Sequence, residues 1–138
     1  MPPAARPRPN PNRESEPIYR YTRAQAIEDG MLVDLTEWGS AEKGFRGGFG
    51  VPVAVTAAVW ADLSVIPPSK AGSQDVRGRA HDLLWMASLA ARRASSTATV
   101  LFRMILHVGR RSSQTYKLMI HPGDHGEPVV TILRPNED

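Results

Sequence analysis

The sequence predicts an α+β fold, in which a three-stranded antiparallel meander at the C-terminus packs with two to three helices. Helix-type apolar spacing and helix-capping residues occur before position 95. Residues 99–133 instead contain three runs with strand character, separated by turn sequences rich in glycine and polar side chains. When helices and strands occupy separate parts of a chain, we expect helices to cover one face of a sheet.

The N-terminal segment is expected to lie outside this domain. Residues 1–17 contain six prolines and one large apolar side chain, Met1. This is too little apolar surface to offset the entropy lost on ordering, so we expect a disordered arm. The rest of the chain, 18–138, has about 120 residues, which is enough for a single domain with its own core.

The first helix is predicted from a capping pattern. Thr22, followed by Gln25 three residues later, matches a capping box, and Gly30 supplies the left-handed residue with which many helices end. Residues 31–35 then form a short strand or buried extended segment. Asp34 within it is a candidate for a shifted carboxyl pKa, but the favoured interpretation is a solvent-facing residue of an alternating strand.

Two further helices are predicted between glycine-rich or proline-rich segments. Residues 39–50 contain five glycines without phosphate-loop spacing, which favours a flexible connector. Residues 51–55 read as extended, and Thr56 caps a helix that ends at a Pro-Pro pair. Asp75 caps a longer helix that reaches about residue 93.

The meander is predicted from period-two alternation. Residues 99–108 are expected to bury one face and to half-bury the other. GRRSSQ then forms a hairpin turn into 115–121, and PGDHGE turns into 128–133. In this arrangement His107 and His121 are candidates for a cross-strand pair.

Basic side chains are concentrated in one part of the chain. Residues 76–120 hold eight basic side chains against one acidic one, Asp82, whereas 18–46 hold four basic and five acidic ones. The eight are Arg77, Arg79, Arg92, Arg93, Arg103, Arg110, Arg111 and Lys117. Such a segment attracts nucleic acid or an acidic protein surface; the alternative is a solvated surface balanced by the acidic N-terminal part of the domain.

Catalytic and metal-binding patterns are weak. The sequence has no cysteine, which excludes disulfides and cysteine-based zinc or nucleophile chemistry. A group of possible oxygen and nitrogen ligands, His121, Asp124, His125 and Glu127, falls on a polar turn, where an ordinary loop role is favoured over a metal site. No serine lies in a nucleophile-elbow motif. We therefore expect a protein without catalytic residues, cofactor or metal.

Five residues are the candidates for interaction with a partner. Trp38 precedes the glycine-rich connector and is the tryptophan expected to be surface-exposed, whereas core packing is the default for Trp60 and Trp85. Arg92 and Arg93 end the long helix, and Arg110 and Arg111 lie at a hairpin tip, where phosphate or acidic groups are their natural ligands.

Two stretches carry a resemblance to a family. Residues 21–34 read YTRAQAIEDG, one residue, then LVD, and residues 52–60 read PVAVT, two residues, then VW. They resemble the signature of a family of small uncharacterised proteins, encoded largely on plasmids, phages and other bacterial mobile elements. The resemblance covers about residues 18–121. It implies an accessory role, because small proteins of that setting often block host defences such as CRISPR or restriction systems.

Together these observations predict a non-enzymatic accessory protein of a mobile element that binds a host protein or protein complex, with inhibition of a host defence as its expected role. A sequence pI of 9.7 disfavours an acidic DNA mimic. The alternative is a nucleic-acid-binding module that uses residues 76–120. The chain has neither a signal-peptide pattern nor an apolar run of about 20 residues, so we expect a cytoplasmic protein without a membrane partner.

Overall fold

The computed structural model describes residues 21–38, 49–72, 74–94 and 97–138. The expected arm, 1–17, and most of the glycine-rich connector lie outside these ranges. The helices are α1 (Arg23–Glu28), α2 (Ala57–Ser64) and α3 (Val76–Ala94), with a short 3-10 turn at Pro68–Lys70. The strands are β1 (Leu32–Asp34), β2 (Val53–Thr56), β3 (Thr99–Val108), β4 (Arg111–Pro122) and β5 (Pro128–Leu133).

The five strands form one mixed sheet in the order β1-β2-β5-β4-β3. The α+β class is therefore confirmed, but the sheet is larger than the predicted three-stranded meander. β3, β4 and β5 pair antiparallel as expected. Two more strands belong to the sheet, because β2 pairs in parallel with β5 and antiparallel with β1. The two extended segments predicted before α2 are thus strands of the same sheet.

The core lies between the sheet and the two longer helices. Val59 and Leu63 of α2, together with Leu83 and Leu84 of α3, are fully buried in one cluster with sheet residues such as Leu118. The helical spacing of these apolar positions gives each helix one buried stripe. The opposite face of β2 and β5 is also buried, which explains why both strands consist almost entirely of inaccessible residues.

The second face of the sheet is covered by α1 and by the C-terminal residues. Arg23 of α1 donates to the Thr131 hydroxyl and to the Val130 carbonyl, each at a distance of 2.8 Å. Glu137 accepts a hydrogen bond from the Thr56 hydroxyl (2.8 Å). These contacts attach α1 and the C-terminal residues to the central strands β2 and β5. The layer on the second face of the sheet therefore lies over β2 and β5 and does not reach β3.

The outer face of β3 is exposed, whereas the sequence predicted that it would be half-buried. Phe102, Met104 and Leu106 face the core, but Leu101 and Ile105 keep 61% and 77% of their surface accessible. The alternation of side chains along β3 was therefore predicted correctly, but the burial of its outer face was not. β3 lies at the edge of the sheet, beyond the reach of α1.

The predicted helix caps are confirmed. Thr22 and Gln25 form both hydrogen bonds of a capping box. Gly30 has φ +80°, a conformation in which a side chain would be strained. Thr56 accepts the Val59 N–H, and Asp75 accepts the Gly78 N–H over 2.7 Å. The N-terminal signals of all three helices were thus readable from local sequence.

The first hairpin is tighter than predicted. Val108 pairs with Arg111, so only Gly109, with φ +60°, and Arg110 form the turn. A bulge between Ile105 and Val108 interrupts the register. His121 pairs with Val129 of β5 rather than with His107, so the expected histidine pair does not form.

Candidate functional surface

The basic segment 76–120 does not form one continuous surface, because several of its residues have structural roles. Arg79 is 3% exposed and donates to three main-chain carbonyls: those of Leu63 (3.0 Å), Asp62 (2.6 Å) and His107 (3.0 Å). The first two belong to the last turn of α2, so Arg79 ties that helix end to the end of β3. Burial lowers the pKa of its guanidinium from the ordinary value.

Trp38 and Arg77 also contribute to packing. The rings of Trp38 and Trp60 are tilted, with centroids 5.9 Å apart, and both side chains pack against the core. The Arg77 guanidinium lies 5.1 Å from the centroid of the Trp38 ring. Trp38 is therefore half-buried between a tryptophan and an arginine, rather than fully exposed.

The two arginine pairs singled out from the sequence lie at opposite ends of β3. Arg92 and Arg93 are exposed in the last turn of α3, just before β3 begins, and Arg110 and Arg111 are exposed at the hairpin tip. Ten residues of extended chain separate the two ends by about 30 Å. One small ligand cannot contact both pairs.

A cleft near the hairpin tip brings together three arginines. Its volume is about 710 Å³, and Arg103, Arg111 and Arg134 line it, with Asp62 and Tyr116 among the other lining residues. The cleft exists because β4 begins at Arg111, whereas β5 covers β4 only from Lys117 onward. In the part of the chain that the structure describes, the edge of β4 that faces β5 therefore has no strand partner from 111 to 116, and the chain turns away at Arg134.

The charges in the cleft are unequally compensated. Asp62, 5% exposed, accepts hydrogen bonds from Arg134 and from the Tyr116 hydroxyl (2.9 Å). Burial, followed by the contact with Asp62, raises the pKa of Tyr116 well above its ordinary value, and Asp62 raises the pKa of Arg134. Arg103 donates to the neutral hydroxyl of Ser113 (3.1 Å). Arg103 and Arg111 therefore leave the cleft net positive.

The outer face of the β3–β4 hairpin is both cationic and aliphatic. The register pairs Leu101, Arg103 and Ile105 with alternate residues of β4, which places all three on the face opposite the core. We name the set Leu101, Arg103, Ile105 and Arg111 the hairpin face. Sequence reasoning identified Arg111 but missed Arg103. The signal that could have found Arg103 is its position between two large apolar residues on the polar side of an alternating strand.

The residues considered as metal ligands form intramolecular hydrogen bonds. Asp124 accepts the backbone N–H groups of Arg23 (2.7 Å) and Ala24 (3.0 Å), the first two residues of α1. These bonds lower the pKa of Asp124. Glu127 accepts the His125 N–H over 2.8 Å. Within the described ranges, no three His, Asp or Glu side chains lie close enough together to hold a metal ion.

The contact between His121 and Thr131 is the arrangement nearest to a catalytic pair. His121 Nε2 lies 2.7 Å from Thr131 Oγ1, a distance suited to a base and a hydroxyl. However, Thr131 is 6% exposed and already accepts a hydrogen bond from Arg23. The contact therefore belongs to the network of hydrogen bonds that holds α1 on the sheet. Asp34 accepts the backbone N–H and the hydroxyl of Thr36, a local turn role.

Comparison with known proteins identifies a family but no activity. No helix in the described ranges has both the length and the apolar character needed to cross a membrane. No curated protein and no solved structure matches the chain. A family model matches residues 11–138, which is most of the sequence. The chain therefore belongs to the family of unknown function DUF6573.

Proposed function

We propose that this protein is a non-enzymatic accessory protein of a bacterial mobile genetic element, and that it binds an acidic surface on a host protein or protein complex in the cytoplasm. The resemblance of its signature to proteins of plasmids and phages supports the genetic setting. Inhibition of a host defence, such as a CRISPR or restriction system, is the role that we propose for this binding.

The observation that carries the proposal is the composition of the hairpin face. Leu101 and Ile105 expose large aliphatic side chains on either side of Arg103. Arg103 and Arg111 both line the cleft near the hairpin tip. Protein interfaces are enriched in arginine and combine apolar contacts with a polar rim. An exposed aliphatic pair around a guanidinium therefore fits a protein partner with a carboxylate at the centre of its surface.

Nucleic acid is less well matched to this face. Single-stranded nucleic acid is held by aromatic side chains on which the bases stack. Among the residues that the structure describes, the large exposed aromatic side chains are Tyr21 and Trp85. Tyr21 lines a separate pocket beside α1. Trp85 shares a cavity with Arg103 and Ile105, but a single ring offers a stacking surface to one base and not to a series of them. Arg77 and Arg79, which contribute to the charge of the basic segment, are engaged in packing and in main-chain contacts.

The test compares two matched double variants of the full chain. Arg103→Ser with Arg111→Ser removes the charge of the hairpin face, and Arg92→Ser with Arg93→Ser removes the same charge elsewhere. We expect host proteins retained by the immobilised wild type to be lost in the first variant and kept in the second. Equal retention by wild type and both variants would overturn the assignment of the surface.

Titration with duplex and single-stranded DNA and with RNA separates the two classes of partner. If the partner is a protein, nucleic acids bind only in the non-specific range, about 10⁻⁴–10⁻⁶ M near physiological salt. Sub-micromolar binding that weakens steeply with salt, and that the Arg103→Ser, Arg111→Ser variant loses, would instead support a nucleic-acid-binding module, because counterion release scales with the number of phosphate contacts.

A further inference from the structure

Within the described ranges β3 has a strand partner on one side only, and its other edge is a long and regular hydrogen-bonding surface. The Ile120 N–H donates to the Ala98 carbonyl over 2.8 Å, one step beyond the pair Thr99↔Met119. Hydrogen-bonded pairs alternate along an antiparallel ladder. The even-numbered residues of β3 therefore bond to β4, and the N–H and C=O groups of the odd-numbered residues from 99 to 105 point away from the sheet.

A groove runs beside this edge, between β3 and α3. It comprises two adjoining cavities of about 710 and 470 Å³, which share Asp82 and Ile105 as lining residues. Trp85 and Met86 of α3 line the second cavity, and Trp85 is 37% exposed. In other proteins, charged side chains, bulges or a covering element commonly prevent exposed edges of this length from pairing with another chain. In β3 the bulge begins only after Ile105.

We infer that the occupant of this edge is a second copy of the chain, so that two β3 strands pair antiparallel and form a continuous ten-stranded sheet. Because only odd-numbered residues offer free backbone groups, odd residues must pair with odd residues. A two-fold axis at Phe102 pairs Leu101 with the partner's Arg103 and uses the whole regular run 99–105. An axis at Arg103 would instead place two arginines opposite each other and extend the pairing into the bulge.

Charge complementarity along α3 supports the same arrangement. The two-fold axis sets the two α3 helices antiparallel on the core side of the joined sheet. Asp82 and Trp85 line the groove, and helical spacing places Leu89 and Arg93 on the same stripe. The single acidic side chain of one helix, Asp82, is therefore set toward the basic last turn of the other helix. Arg93 of one copy approaches Asp82 and the Trp85 ring of its partner, a favourable ion pair and cation–π contact.

This dimer does not require the proposed acidic partner, because it forms through the backbone edge and the α3 stripe, although its strand pairing sets Leu101, Arg103 and Ile105 of the hairpin face beside the same residues of the second copy. It would, however, place the outer faces of two hairpins side by side. The first measurement is the solution mass of the full chain by sedimentation across the micromolar range. A mass twice the 15.1 kDa of the chain is expected, and a monomer throughout that range would overturn the inference.

A charge exchange tests the α3 contact. Asp82→Arg and Arg93→Asp, taken singly, place like charges opposite each other, and each should weaken dimerisation about tenfold or more. The combined variant restores opposite charges and should recover the dimer. Each variant is checked for a cooperative thermal transition, so that loss of the dimer is not confused with loss of the fold. A dimer unchanged in both single variants, or not recovered in the combined one, contradicts this contact.

A second pair of variants tests the strand edge. Leu101→Pro removes an N–H that points away from β4, whereas Leu101→Ala removes the side chain and keeps the N–H. Only the proline variant should be monomeric. The chain has no cysteine, so a short thiol crosslinker should join a mixture of Leu101→Cys and Arg103→Cys chains more efficiently than either alone. Preferential crosslinking of Arg103→Cys to itself would contradict the axis at Phe102.

Discussion

Arg134 donates from Nη2 to Oδ1 of Asp62 over 2.5 Å and from Nε to Oδ2 over 3.2 Å, which gives a two-pronged ion pair at the end of β5. The two side chains differ in environment, because that of Arg134 is 43% exposed and that of Asp62 is 7% exposed. Asp62 also accepts the hydroxyl proton of buried Tyr116. The carboxylate therefore holds the chain end, α2 and β4 together at one point.

We predict that Asp62→Ala lowers the free energy of unfolding by about 2–3 kcal/mol, because it leaves the buried Tyr116 hydroxyl without an acceptor. Tyr116→Phe should cost about 1 kcal/mol, and the double variant less than the sum of the two. Arg134→Ala should cost at most about 1 kcal/mol, since the cleft that Asp62 lines lets water replace the partly exposed guanidinium beside its carboxylate. Urea titrations measure all four values. If Arg134→Ala cost as much as Asp62→Ala, the ion pair with the exposed arginine, rather than the hydrogen bond from the Tyr116 hydroxyl, would account for most of the stability that Asp62 provides.

The buried position of Arg79 gives a second prediction. Arg79→Met keeps much of the side-chain volume but leaves the carbonyls of Leu63, Asp62 and His107 without their donor. We expect a loss of about 3 kcal/mol, since each buried acceptor left unsatisfied costs about 1–3 kcal/mol and some will find water. Arg77→Met, on the same helix, is the matched control. It removes only the contact with Trp38, worth about 0.5–1 kcal/mol at an exposed site. Similar melting temperatures for the two variants would contradict the role of Arg79.

Because Asp124 accepts two backbone N–H groups of α1, we predict that the attachment of α1 to this turn weakens in acid. Its two bonds from backbone N–H groups hold the pKa of the folded-state carboxyl below the ordinary value of 3.8. The unfolded chain therefore binds the proton more readily, and the stabilising contribution is complete above about pH 4 and lost as the pH falls through the folded-state pKa. NMR signals of the Arg23 and Ala24 amides, followed from about pH 5 to pH 2, should report this loss.

The matched controls for this pH dependence lie in the same turn. Asp124→Asn should remove the acid transition of the two amides, because its side chain does not titrate. Glu127→Gln should preserve the transition, since Glu127 contacts the His125 N–H instead. An unchanged transition in Asp124→Asn would assign it to another carboxyl group.

Short-range features of this fold could be predicted from the sequence. Thr22, Gln25 and Gly30 act within a few residues of one another, so their chemistry fixes the start and the end of α1 locally. The three C-terminal strands follow for the same reason, because turns only a few residues long join them. The confirmed elements are thus those whose determining contacts are close in sequence.

The missed features depend on contacts between distant residues. The parallel pairing of β2 with β5 leaves no turn signal, since more than seventy residues separate the two strands. Asp124 caps α1 from 101 positions away. Arg134 lies on the candidate surface because β5 ends next to it. Arg103 lies there because no helix or strand of the described ranges covers the outer face of β3. Trp38 is half-buried because Trp60 and Arg77 enclose it, and neither neighbour is adjacent in the sequence.

The start and the end of α1 give the last prediction. Thr22→Ala should cost about 1 kcal/mol, because the Gln25 N–H loses its acceptor. Gly30→Ala should cost about 1–2 kcal/mol through its left-handed backbone, although a β-carbon there meets no atom within 4 Å. Gly72→Ala is the matched control, because its site is equally open and its φ is not in the left-handed region. Denaturant titration should therefore show a loss for Gly30→Ala and little change or a gain for Gly72→Ala. Equal effects of the two alanines would mean that backbone conformation at Gly30 does not hold the turn between α1 and β1.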